Sequence, residues 1–121
     1  MTTVLLVEDE DSFVEALTIG LGREGYDVTV ARDGAEALEC FESVDPDLIL
    51  LDLMLPRING LEVCRDIRSR SRVPIIMVTA KSDELDAVLG RRVGADDYVT
   101  KPYRLGDLLE RVKNLLADAG S

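Results

Sequence analysis

Short, wholly apolar runs alternate five times with longer segments of helical period, and no other feature of the chain limits its fold as much. Leu48-Ile49-Leu50-Leu51 and Ile75-Ile76-Met77-Val78 are too short for buried helices and present no polar face. They suit parallel strands covered on both sides, with the periodic segments as the covering helices. Strands are predicted at Thr3–Val7, Asp27–Ala31, Leu48–Asp52, Ile75–Thr79 and Tyr98–Thr100. Three helices are marked by the apolar stripes Phe13/Leu17/Leu21, Ala35/Leu38/Phe41, and Leu61/Cys64 with Val63/Ile67. A fourth is expected over 84–93, and a fifth carries Leu105, Leu108, Leu109, Val112, Leu115 and Leu116 at three- and four-residue steps.

Turn-forming residues agree with this order. Gly25 and Gly94 stand where helices should stop, Asp33-Gly34 and Asn59-Gly60 where the next should start, and Asp45-Pro46 and Val73-Pro74 just ahead of strands. With 121 residues the chain is one domain, large enough to need no disulfide or structural metal. That domain is placed at 1–118, with 119–121 a tail or the start of a linker and no effector domain in this chain. Cys40 and Cys64 lack CxxC spacing and read as reduced, packed thiols. Before the first strand there is no basic segment, and its apolar run breaks at Glu8, so neither a signal peptide nor a membrane span is expected, and the location is read as cytoplasmic.

Chemistry is narrowed by what is missing. There is no histidine, which excludes imidazole triads and His-ligated metal sites. With 24 acidic and 14 basic side chains the net charge is −10, so the bulk field repels nucleic acid and anionic membranes. A divalent cation or a basic protein surface remains a fitting partner.

In an open parallel sheet, ligands gather beyond the carboxyl ends of the strands. The first strand runs into Glu8-Asp9-Glu10-Asp11, the third ends at Asp52, the fourth at Thr79, and the fifth at Lys101-Pro102. Glu10 and Asp11 are explained by the positive end of the following helix, and Glu8 and Asp9 admit the same explanation. Thr79 alone suits a structural role and Lys101 alone a solvated one. Asp52 is different, because an acid closing a buried apolar strand is costly without a partner. Carboxylates meeting at one rim must take up protons or hold a cation. With only oxygen donors, that cation is a hard divalent ion, Mg²⁺ first and Mn²⁺ or Ca²⁺ as substitutes. A metal-bound carboxylate with an ammonium and a hydroxyl nearby suits phosphoryl transfer, Asp52 attacking phosphorus.

Val7-Glu8-Asp9-Glu10, Leu51-Asp52-Leu53-Met54-Leu55-Pro56 with Asn59-Gly60, Val78-Thr79-Ala80-Lys81, and Gly94-Ala95-Asp96-Asp97-Tyr98-Val99-Thr100-Lys101-Pro102 together resemble the receiver domain of bacterial two-component response regulators, in the OmpR/PhoB-type branch. This resemblance implies a flavodoxin-like, doubly wound parallel sheet of order 2-1-3-4-5 with five helices in three α/β/α layers. It implies Asp52 as phosphoacceptor, and Mg²⁺ held by Asp9, Asp52 and the Met54 carbonyl, with Glu8 acting through water. Thr79 and Lys101 would contact the phosphoryl group, the Lys101-Pro102 bond would be cis, and Tyr98 would switch with Thr79. The implied partners are a sensor histidine kinase, a second copy in a phosphorylation-dependent homodimer, and DNA only through a C-terminal effector domain; a stand-alone receiver acting by docking is the alternative. The implied dimer face is the fourth helix, fifth strand and fifth helix, where Asp96, Asp97, Asp107 and Arg111 fit. Arg91-Arg92 replace the Leu-Glu usual there, and either pair with Asp107 or stay solvated.

Two other readings fit less well. An aspartate-nucleophile phosphatase needs a second acid where Met54 stands, so the chain is read as a switch that catalyses only its own phosphorylation and dephosphorylation, not as an enzyme. A flavodoxin-type cofactor binder needs a phosphate loop where four acids follow the first strand. Met54 and Lys81, two beyond Asp52 and Thr79, offer no neutral amide or carboxylate to orient water, so a long-lived phosphoryl group is expected.

Overall fold

The computed structural model describes residues 1–79 and 92–119. Five parallel strands, β1 (Thr3–Val7), β2 (Asp27–Ala31), β3 (Leu48–Asp52), β4 (Ile75–Thr79) and β5 (Asp97–Thr100), form one sheet of order β2-β1-β3-β4-β5. The helices are α1 (Asp11–Arg23), α2 (Gly34–Val44), α3 (Gly60–Arg68) and a C-terminal helix, Leu105–Ala119. This is the expected fold and strand order. Four helices fall within the described residues; the fifth, expected over 84–93, lies outside them apart from its last two positions.

β3 and β4 are buried at every residue because each sheet face has its own core. Alternate strand side chains divide between them, as the two-residue period of a strand requires. Leu5, Val7, Ile49, Leu51, Ile75 and Met77 pack with Ala37, Val63, Cys64 and Ile67 of α2 and α3. Val4, Leu6, Leu48, Leu50, Ile76 and Val78 pack on the other face with Leu17, Leu21, Leu108 and Val112 of α1 and the C-terminal helix.

The predicted turn chemistry is present in detail. Asp33 and Asn59 cap α2 and α3 by accepting the Glu36 and Glu62 N–H groups at 2.8 and 3.0 Å. Gly94 has φ +105°, where a side chain would be strained. Gly60 is required by proximity: a Cβ there would lie 2.4 Å from the Asp52 carbonyl oxygen. The start of α3 thus rests directly on the end of β3. Both thiols are free, and burial pushes both upward from their ordinary pKa.

Candidate functional site

Register brings the strand ends level. Val7 pairs with Leu51, so Glu8, one residue on, stands beside Asp52. Asp52 pairs with Val78, and Thr79 with Thr100, which puts Thr79 and Lys101 at the same rim. Backbone bonds extend the ladder there: the Lys101 N–H donates to the Thr79 carbonyl at 2.6 Å, and the Leu53 N–H to that of Val78 at 3.0 Å. The Lys101-Pro102 bond is cis, as the resemblance implied.

Glu8, Asp52 and Thr79 are the buried polar residues among those described. The Lys101 side chain, 6% exposed, enters between the acids. Its Nζ donates to Glu8 Oε1 at 2.6 Å and to Asp52 Oδ2 at 3.2 Å, and lies 3.5 Å from Glu10 Oε1. The Met54 N–H donates to Asp52 Oδ1 at 3.0 Å. Burial, reinforced by Glu8, pushes the Asp52 carboxyl up to about 7 against the opposing Met54 bond and Lys101 charge. Burial works to lower the Lys101 ammonium, but Glu8 and Asp52 outweigh it and hold the lysine above its usual range.

One ammonium thus faces three carboxylates, Glu8, Glu10 and Asp52, each offering an oxygen within 4.8 Å of the others. Such a group can hold a metal ion. The donors fit a hard divalent cation: they are all oxygen, and Lys101 leaves their negative charge in excess. The structure brings together Glu8, Asp52 and Lys101 as expected and adds Glu10. Asp9 is exposed and lies outside this group. Met54 is half exposed beside Asp52, and Tyr98 packs partly buried against the α2–α3 core. Of the expected dimer face, Asp97 Oδ1 pairs with Arg111 Nη1 at 2.7 Å, whereas Asp96 turns to Arg68 at 2.9 Å. Arg92 and Asp107 are exposed; Arg91 and Lys81 lie outside the described residues.

Two site neighbours were missed from sequence. Phe13, predicted as part of the α1 core stripe, instead places its ring 4.0 Å from Lys101 Nζ, and Tyr103 stacks beside that ring at 5.8 Å between centroids. Burial lifts the Tyr103 hydroxyl to about 12, with Glu8 and Asp52 adding to the effect.

Residues 4–113 match the response regulator receiver domain. The chain belongs to that family. This receiver is 49% identical over 120 residues to the sensory transduction protein RegX3 of Mycobacterium tuberculosis, covering 99% of this chain and 53% of RegX3. It is 52% identical over 110 residues to the DNA-binding response regulator MtrA of Mycolicibacterium smegmatis, covering 91% and 48%. The receiver thus spans about half the length of these relatives. Among solved structures, the BeF3-activated N-terminal receiver domain of Klebsiella pneumoniae RstA superposes with a TM-score of 0.91 at 33% identity, covering 95% of this chain and 98% of that one. Among the described residues no helix is long and apolar enough to cross a membrane.

Proposed function

We propose that this receiver takes a phosphoryl group onto Asp52 from a phosphohistidine on a sensor kinase, in the cytoplasm, with Mg²⁺ in the Glu8–Glu10–Asp52 group. The observation that carries the reading is a buried strand-end aspartate whose negative surroundings exceed what Lys101 offsets. Bound there, Mg²⁺, or Mn²⁺ in its place, would neutralise charge on the phosphoryl oxygens. Asp52 is the nucleophile: its carboxylate oxygen forms the new bond to phosphorus while the donor's phosphorus–nitrogen bond breaks and the histidine nitrogen leaves. Lys101 exchanges a carboxylate contact for a phosphoryl oxygen, and the Thr79 hydroxyl accommodates another. Asp9, Asp52 and the Met54 carbonyl would hold the cation in this reading, and Glu8 would act through water.

The output is a change in the surface that includes β5 and the C-terminal helix. Tyr98 follows Thr79, and a homodimer forms over Arg91, Arg92, Asp96, Asp97, Asp107 and Arg111. MtrA, a DNA-binding response regulator about twice this length, supports a further segment that binds DNA; a stand-alone receiver that docks on a partner is the alternative. Catalysis is confined to the receiver's own phosphorylation and dephosphorylation. Without a water-orienting amide or carboxylate at Met54 or Lys81, the phosphoryl group should last minutes rather than seconds.

Labelling by acetyl phosphate with and without Mg²⁺ tests this directly. Hydroxylamine-sensitive label should require the metal and vanish in Asp52→Asn; label that persists in that variant assigns the nucleophile elsewhere.

A further inference from the structure

We propose that Phe13 is a positioning residue for Lys101, its ring face holding the ammonium within the site while that ammonium changes oxygen partners. The inference rests on the phosphoacceptor reading and adds to it a residue that touches neither donor nor phosphoryl group.

Lys101 Nζ lies 4.0 Å from the Phe13 centroid, well inside the range of about 6 Å over which a cation is drawn to an aromatic face. The lysine is almost wholly buried, so water competes little for that attraction. The ring is itself steadied by Tyr103, whose plane is inclined 40° to it. Placement follows from α1. Glu10 stands at the N-cap position of that helix and Phe13 three residues on, so one face of the first turn delivers both a carboxylate and a ring to the same ammonium.

The ring differs in kind from the lysine's other neighbours. Glu8 and Asp52 are bound through directed N–H bonds, and both bonds are contested during the reaction. Asp52 turns one carboxylate oxygen into the bridging oxygen of an acyl phosphate, a mixed anhydride, and Glu8 would turn toward a bound cation. Attraction to a ring face depends on distance more than on the direction of any one N–H. It survives as the ammonium pivots from carboxylate to phosphoryl oxygen, and Phe13 takes no part in the bonds that form or break. A leucine would supply apolar bulk at this position but no negative face, leaving the ammonium to settle on Glu8.

The test replaces Phe13 with 4-fluoro- and 3,4,5-trifluorophenylalanine, which drain the ring face stepwise at nearly constant shape, alongside Phe13→Leu and Phe13→Tyr. Beryllofluoride affinity in Mg²⁺, the labelling rate with acetyl phosphate, and Tm are measured on the 121-residue chain. Affinity and rate should fall stepwise with fluorination, to about tenfold at three fluorines, with Tm within about 2 °C of the parent. Phe13→Tyr should restore both and Phe13→Leu should not. Parent-like affinity and rate in the trifluoro protein, or in Phe13→Leu, overturn the proposal while leaving the phosphoacceptor reading intact. A parent chain that takes no label at Asp52 brings down that reading and this inference together.

Discussion

The two ends of the sheet each set a cation against acid, yet they settle the charge in opposite ways. At the amino ends of β4 and β5, Arg68 makes four hydrogen bonds to fixed acceptors. Nε donates to the Gly94 carbonyl at 2.9 Å, Nη1 to those of Ser71 and Val73 at 3.1 and 2.8 Å, and Nη2 to Asp96 at 2.9 Å. Asp96 also accepts the Ile75 N–H at 2.8 Å. One guanidinium meets one carboxylate, and the planar fork suits its acceptors. Even Gly94 belongs to this arrangement, because a Cβ there would lie 2.7 Å from Arg68 Cγ. At the carboxyl ends, one ammonium meets three carboxylates and Asp52 is pushed toward neutrality. A closed network holds the frame; an unbalanced one has work left for a ligand. Ion pairs by themselves do not mark a site, but surplus charge that the fold has buried does.

Breaking the closed end should cost most. Arg68→Ala leaves three part-buried carbonyls without their donor and Asp96 with the Ile75 N–H alone, and a loss of about 3 kcal/mol is expected, a drop in Tm of roughly 10 °C. Below that lowered Tm, labelling at Asp52 should continue at close to the parent rate, since nothing at the other rim has changed. Thermal melts paired with acetyl phosphate labelling decide it; an undiminished Tm would mean the clamp is ornamental. The open end should respond in the reverse direction. Asp52→Asn removes a buried charge beside Glu8, so in chelator it should stabilise the fold by about 2 kcal/mol. The parent should gain stability from Mg²⁺ by mass action, near 2.7 kcal/mol at about a hundred times the dissociation constant, and the variant should gain far less. A destabilised Asp52→Asn in chelator would show that the carboxylates are already balanced.

A third change crosses the divide between frame and site. Gly60→Ala places a methyl against the backbone of Asp52 and Leu53. Overpacking of this kind costs about 1–2 kcal/mol, and because the strained atoms carry the nucleophile, labelling should slow as well. Tm and labelling rate falling together would separate this position from Arg68, where only Tm falls.

The sequence made the frame legible because its signals are local. Four strands have the predicted bounds, since an apolar run announces its own limits; β5 starts one residue early, at Asp97, whose pairing with Ile76 is decided by β4. Of the site, Glu8, Asp52, Thr79 and Lys101 could be found because each lies at or just past the carboxyl end of a predicted strand. Glu10 and Phe13 could not. Helix dipole and helical period explained them adequately, and what draws them to the site is Lys101, some ninety residues further on. Arg68 was equally hidden: three of its four acceptors are backbone carbonyls, which no side-chain pattern records.

The smallest effect is expected at the pair that most resembles the clamp in its chemical groups. Arg111 Nη1 meets Asp97 Oδ1 at 2.7 Å, an arginine and an aspartate like Arg68 and Asp96, but this arginine is half exposed and its hydrogen bond goes to a carboxylate rather than to gathered backbone carbonyls. Water and salt screen such a contact, and Asp97 still accepts the Tyr98 N–H at 2.8 Å when the arginine is gone. Arg111→Gln should therefore shift stability by no more than about 0.5 kcal/mol, and raising the salt concentration should erase that difference. The comparison with Arg68→Ala isolates what makes a cation structural. If Arg111→Gln proves as costly as Arg68→Ala, the carboxylate carries the energy in both pairs. If it is nearly silent, the part-buried carbonyls gathered around Arg68 are what turn an ion pair into a clamp.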